Sequence, residues 1–404
     1  MSDSAQHDSR YSWQRLAITL AVAVVGNVGM WAITVMMPAF QAEFGTSRAD
    51  AAIPYTATMV GFAFGNLLVG RWVDRWGITI ALVCAGVAIS LGFAASALAG
   101  SITVLAMAQF IAGFGGATCF GPLIADISHW FLRRRGIAVA IAACGNYLAG
   151  AIWPLILGPF MAAYGWRAGC VLIAGVSLCV MVPMAFLLRR PVSEATSARA
   201  ESRAAENAQA LNFSPATLQW MLAVAGVACC VAMAMPQVHI VALCVDLGFG
   251  AVVGAEMLSL MLAGGVVSRL VSGYLADRLG GVVTLLIGSF LQAVALFLYL
   301  PFDGLVSLYL VSLVFGLSQG GIVPSYAIIV RDYMPAREAG ARVGFVIFAT
   351  IIGMALGGWM SGWIYDLTGS YQLAFINGIG WNALNLGIVG LILWRTTHGR
   401  AATA

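Results

Sequence analysis

The chain has 404 residues, 61% of them hydrophobic and 9% charged, where an average soluble protein carries about 25% charged residues. So little charge cannot cover a water-exposed surface of this size, which excludes a soluble enzyme or nucleic-acid binder and places the chain in the membrane class. All 20 cationic residues are arginine and 16 acids leave a net charge of +4, while the eight cysteines lie in or beside apolar stretches without CxxC spacing and read as small buried hydrophobes.

The polar start, Met1 to Arg15, leads into an apolar run too long for a signal-peptide core and is expected to be retained. Runs long enough to cross a bilayer, about 20 helical residues each, follow at approximately 16–37, 52–69, 78–98, 102–124, 136–163 and 168–188. The second half supplies 218–242, 252–275, 282–300, 305–330, 342–365 and 373–394. Twelve spans are predicted: an all-α membrane protein with a six-helix bundle over 1–188, a polar linker over 189–215 and a second six-helix bundle over 216–404.

Charge orients these spans. With the N-terminus inside, seventeen of the twenty arginines fall in cytoplasmic segments, two (Arg48 and Arg167) outside, and one, Arg269, within a span. Positive charge concentrates in cytoplasmic loops, so both termini are expected in the cytoplasm of a plasma (bacterial inner) membrane protein. The halves also repeat: Gly70-Arg-Trp-Val-Asp74-Arg75-Trp-Gly77 closes span two, and Gly273-Tyr-Leu-Ala-Asp277-Arg278-Leu-Gly280 closes span eight, with the two aspartates 203 residues apart. Duplicated six-span halves are the plan of a transporter with its site near the midplane.

The paired G-x-x-x-D-R-x-G element, the twelve spans and the polar central loop resemble the major facilitator superfamily over essentially the whole chain. Five further segments resemble its monocarboxylate transporter and oxalate/formate antiporter branch: Tyr11-Ser-Trp13, Phe40 to Ala49, Trp130 to Ala138, Tyr164-Gly-Trp-Arg167 and Tyr365-Asp-Leu-Thr-Gly369. The resemblance implies a major facilitator fold, with Asp74, Arg75, Asp277 and Arg278 as gating residues that exchange ion pairs between inward-open and outward-open states. Two departures stand out. Neither copy of the motif is followed by the usual basic pair, and Gln109 occupies a place where many proton-coupled relatives carry arginine.

Arg269 lies eight residues before Asp277, about 12 Å inside that end of the membrane at 1.5 Å rise per residue. A charge at such depth costs at least about 2.5 to 3.5 kcal/mol and marks a candidate functional site. Guanidinium presents parallel donors matched to a carboxylate, which makes Arg269 the leading anion-binding residue. A structural arginine held by a buried acid or by helix carbonyls is the alternative. No acid lies within one turn, and Gly265 stands where monocarboxylate transporters commonly carry aspartate. Span eleven has no second cation of the kind that helps hold a dianion in oxalate/formate antiporters. One midplane cation suits one carboxylate, so a monocarboxylate of lactate, pyruvate or aromatic type is favoured.

Tyr326, in a Gly- and Pro-interrupted span, is the preferred second substrate contact, with Asn146, Tyr147 and Phe348 as further lining candidates; Asn27, Gln319 and Asn382 are weaker ones. His239 and Glu256 could carry a coupled proton, although both fall toward outer helix ends. Asp126 is expected to meet the arginines at 133–135. No cofactor, metal or catalytic constellation is expected, so the chain reads as no enzyme. The expected partners are a small organic anion, protons or a counter-anion, and lipid, without nucleic acid, in a protein that works as a monomer. An oxalate/formate-type exchanger and a transporter-like sensor are the alternatives.

Overall fold

The computed structural model describes residues 9–128, 130–131, 135–189, 214–334 and 336–403, and these contain helices and turns without strands. A lipid-embedded backbone has no water to bond, so each span must close its own N–H and C=O groups as helix. Eleven segments among the described residues are long and apolar enough to cross a membrane. The fifth, Ile137–Leu187, has 51 residues and would reach about 77 Å as one helix. It is broken at Gly165 (φ 82°, ψ 164°), which divides it into two crossings. Twelve spans result, as the hydropathy pattern predicts.

In chain order, α1 runs Arg10–Phe44 with an interruption at Asn27. A continuous helical run, Arg48–Ala97, is broken at Gly77 into α2 (48–76) and α3 (78–97). Then come α4 (Ile102–Ile124), α5 (135–164) and α6 (166–187). The second half has α7 (Pro215–Asp246), α8 (Ala251–Leu279), α9 (Gly281–Leu298), α10 (Leu305–Gln319 continued by Ile322–Tyr333), α11 (Ala336–Thr368) and α12 (Gln372–Thr403). Of the expected linker, residues 190–213 lie outside the described ones.

The duplication is visible in the backbone. Gly77 (φ 79°, ψ 162°) and Gly280 (φ 83°, ψ 164°) close the two copies of the motif in the same conformation, which essentially glycine alone adopts. The 203-residue offset also carries the discontinuity of α4, a 3₁₀ turn at Ala117–Cys119, onto the break after Gln319 in α10. The halves meet chiefly where α5 packs on α8 and α2 on α11. Leu91, Leu98, Phe290, Phe297 and Val306 are exposed and apolar, as a lipid-facing surface requires. All eight cysteines are free thiols, six of them buried.

With an even number of crossings both termini share one face, called here the terminal face; the other is the far face. Capping helps set the entries: Ser9 closes a capping box at α1, and Ser47 and Ser214 accept from Asp50 N–H and Thr217 N–H at the starts of α2 and α7.

Candidate substrate site and gate

The site is built around a close approach of α8 and α10. A Cβ on Gly320 would fall 2.3 Å from the Gly265 carbonyl oxygen and 2.6 Å from the Arg269 nitrogen, so only glycine permits this spacing. The same glycine sits in the gap between the two segments of α10, where the helix stops at Gln319 and restarts at Ile322. Ser268 Oγ accepts from the Gly320 N–H at 3.1 Å, and the Gly320 carbonyl accepts from Arg269 Nε at 3.1 Å. An interrupted helix thus presents a carbonyl sideways to a buried cation.

Arg269 is 5% exposed. Its Nη1 reaches across to the other half and donates to the Ala143 carbonyl of α5 at 2.5 Å, and its guanidinium carbon stands 4.1 Å over the Tyr147 ring. These contacts replace part of the lost hydration, the ring alone contributing about 0.5–2 kcal/mol. They do not neutralise the charge: among the described residues no carboxylate forms an ion pair with Arg269. Two carbonyls accept from two of the five N–H donors that a guanidinium carries. The helix carbonyls of the structural alternative are therefore present, and the buried acid is not found among the described residues. Tyr147 also covers Gly265, since a Cβ there would meet its ring at 3.5 Å.

The other lining candidates are placed differently. Asn146 Oδ1 accepts from the Trp31 Nε1 of α1 at 3.0 Å, one residue from the ring beneath Arg269. Phe348, on α11, packs edge-on against Phe64 of α2 with centroids 5.9 Å apart, at the seam between halves. Tyr326 is fully buried and donates to Asn385 Oδ1 at 2.7 Å; Asn385 donates in turn to Ser289 Oγ, while Asn382 donates to the Ser289 carbonyl. That places its hydroxyl in a network of α9, α10 and α12, inside one half. Asn27 donates to the Ala23 and Cys119 carbonyls. Gln109, at the position of the missing arginine, donates to Ser96 Oγ and accepts from Thr58. Glu256, exposed at its helix end, accepts from Tyr309.

At the far face the halves are joined by a cluster centred on Arg48. Its Nη2 lies 2.8 and 3.0 Å from the two carboxylate oxygens of Asp246, at the end of α7. Its guanidinium carbon lies 4.7 Å from the Tyr365 ring centroid and 5.8 Å from that of Tyr371. The backbone N–H groups of Arg48 and Ala49 donate to the Asp366 carboxylate of α11, each at 2.7 Å. A carboxylate from one half thus caps the first turn of a helix in the other, where the helix dipole favours negative charge. Burial pushes the Tyr371 hydroxyl well above its usual range, so it stays protonated. His239, fully buried, is bound on one ring nitrogen to that hydroxyl at 3.0 Å and on the other to the Gly358 carbonyl at 2.7 Å.

At the terminal face the motif residues are looser. Arg278 is exposed over Tyr274 of its own helix at 4.5 Å, Arg75 is exposed with Trp76 at 5.9 Å, and Asp277 is exposed. Neither Arg75 nor Arg278 forms an ion pair among the described residues. The side chain of Asp74 lies outside the described ones. Asp126 pairs with Arg15 at 2.9 Å, whose guanidinium also stacks on Trp130 at 4.6 Å. The side chains of the arginines at 133–135, the expected neighbours of Asp126, lie outside the described ones.

The family profile of the Major Facilitator Superfamily matches residues 19–341 and 240–404. The chain belongs to the Major Facilitator Superfamily. Among curated members it is 27% identical to the Bos taurus "Monocarboxylate transporter 13" over 316 residues, covering 78% of this chain and 73% of the relative. It is 26% identical to the Homo sapiens "Monocarboxylate transporter 11", covering 91% and 80%. Among solved structures, a bacterial homologue of the human lysosomal transporter Spinster, in an inward-facing and occupied conformation, superposes with a TM-score of 0.69 over 98% of this chain and 97% of the other, at 14% identity. The last likeness concerns the fold alone. This facilitator is thus a multi-pass membrane transporter and not an enzyme.

The superfamily segments singled out in the sequence meet one another in space. Tyr11 and Trp13 pack edge-on against Trp130 and Phe131, with centroids 5.2 and 5.1 Å apart. Glu43 accepts from Trp166 Nε1 at 2.6 Å and pairs with Arg167. Arg48 and Ala49 meet Asp366. From the sequence Arg48 shows only a side of the membrane; the usable signal for this junction is that Arg48 and Asp366 each fall in one of these segments.

Proposed function

We propose that this facilitator carries a small organic monocarboxylate across the membrane by alternating access, in symport with a proton. The carrying observation is Arg269: a buried guanidinium between the two halves, with donors offered to an anion and no ion-pair partner among the described residues. Its neutralisation by a substrate carboxylate would lower the cost of occluding the site. Curated relatives named as monocarboxylate transporters, and a single midplane cation, favour a monoanion over an oxalate-like dianion.

Alternating access would exchange two sets of contacts. The Arg48, Asp246 and Asp366 cluster holds the far face shut, while Asp74, Arg75, Asp277 and Arg278 serve the terminal face and tighten when it closes. A shut far face, with Arg75 and Arg278 in no ion pair among the described residues, corresponds to the inward-facing state named for the Spinster homologue, taking the terminal face as cytoplasmic. The arginine distribution supports that orientation. Tyr147, Asn146 and Phe348 would line the path. Tyr326, His239 and Glu256 are bound to neighbours and would act by holding helices.

Uptake into proteoliposomes under an imposed pH gradient tests the coupling. Symport predicts uptake that rises when the outside is acidified and no need for internal anion. Uptake indifferent to the gradient but stimulated several-fold by internal anion would replace symport by exchange.

A further inference from the structure

In the half that carries Arg269, the side chains of Gln237 (α7) and Gln319 (α10) are 1% and 0% exposed and hydrogen-bond to each other. Each amide has a donor NH₂ and an acceptor oxygen, and a single bond between the two uses only one of each. Gln237 Oε1 and Gln319 Nε2 are left buried and without partners. Turning both amides over exchanges the atoms but leaves the same remainder, one acceptor on one residue and one donor on the other. A buried polar atom without a partner costs about 1–3 kcal/mol, so a protein that retains two at adjacent positions has reason to fill them.

Their position gives the reason. Gln319 is the last residue of the first segment of α10, and the next residue, Gly320, supplies the carbonyl that accepts from Arg269 Nε. The unmet donor of Gln319 is therefore carried one residue along the chain from the arginine's own contact, and the unmet acceptor belongs to its hydrogen-bonded partner Gln237 on α7, in the same half. We infer that Gln237 and Gln319 form a second subsite, which takes a neutral group able both to donate and to accept a hydrogen bond, a hydroxyl or a carboxamide, on the body of the substrate held by Arg269. An unsubstituted alkyl chain would leave both atoms unmet, and an oxo group, which only accepts, would leave one. The inference rests on the monocarboxylate reading and adds the class of substituent.

The test compares butanoate, 3-hydroxybutanoate and succinamate as labelled substrates in proteoliposomes, for wild type, Gln237→Leu and Gln319→Leu, with thermal stability in detergent as the folding control. In wild type, the substituted acids should be preferred over butanoate by about tenfold or more, as one or two hydrogen bonds imply. In each leucine variant that ratio should fall toward one. A wild type that takes up all three acids equally, or variants in which all three fall together with the ratio preserved, would overturn the subsite while leaving the monocarboxylate reading intact. A wild type that transports none of them and no other monocarboxylate would overturn that reading, and the subsite with it.

Discussion

The Asp366 carboxylate on α11 accepts the backbone N–H groups of both Arg48 and Ala49 at 2.7 Å, so one acid of the second half closes the first turn of α2 in the first. Hydrogen bonds to a charged group contribute about 1.5–3 kcal/mol each, and the Arg48 to Asp246 pair reinforces them. Replacing Asp366 by alanine should therefore loosen the far face. Amide hydrogen exchange over residues 47–51 should accelerate at least about tenfold, a change equivalent to roughly 1.4 kcal/mol. Unchanged exchange would mean that the contact holds nothing shut.

Gly265 offers a second test. A Cβ there meets the Tyr147 ring at an ordinary 3.5 Å, so aspartate fits the backbone, and its carboxylate would lie one helical turn from Arg269. Beside a guanidinium the new carboxylate pairs with it and occupies the cation. Gly265→Asp should weaken substrate affinity at pH 7 by about tenfold or more, with recovery as the pH falls and the aspartate protonates. Titration of substrate binding against pH, variant beside wild type, shows the sign: recovery at high pH would contradict the pairing.

Three glycines should be intolerant, for two distinct reasons. Gly320→Ala places a methyl 2.3 Å from the Gly265 carbonyl oxygen, and forced separation of α8 from α10 typically costs about 1–3 kcal/mol. At Gly77 and Gly280 nothing lies within 4 Å of an added Cβ, so the penalty of alanine there is conformational, of order 1–3 kcal/mol at positive φ. Thermal unfolding in detergent should show all three destabilised, with Gly320→Ala alone also moving the Arg269 contact and hence substrate affinity.

Most of the architecture was legible because bilayer thickness converts directly into run length, and because the Asp74 and Asp277 motifs fix the duplication. Arg269 stood out for the same reason, since a charge in an apolar run needs a purpose. Its actual neighbours were not legible. The Ala143 and Gly320 contacts are backbone carbonyls, which no residue type announces, and their reach depends on how closely α8 approaches α5 and α10. Tyr326 looked suited to a substrate because glycines and a proline precede it. The helix does break there, but the rotation of the following segment turns the hydroxyl toward Asn385. Arg48 was legible only as a charge on one side, since Asp246 and Asp366 lie 198 and 318 residues away from it.

Everything proposed for the substrate depends on Arg269 being a carboxylate site and not merely a buried strut between α8 and α5. The direct measurement is uptake of labelled monocarboxylates and dicarboxylates by reconstituted wild type, Arg269→Gln and Arg269→Lys, with thermal stability as the control for folding. A carboxylate site at Arg269 predicts monocarboxylate uptake by wild type, loss of about a hundredfold or more in the folded Gln variant, and partial activity in Lys, which keeps the charge without the paired donors. Normal transport of every accepted anion by Arg269→Gln would contradict it.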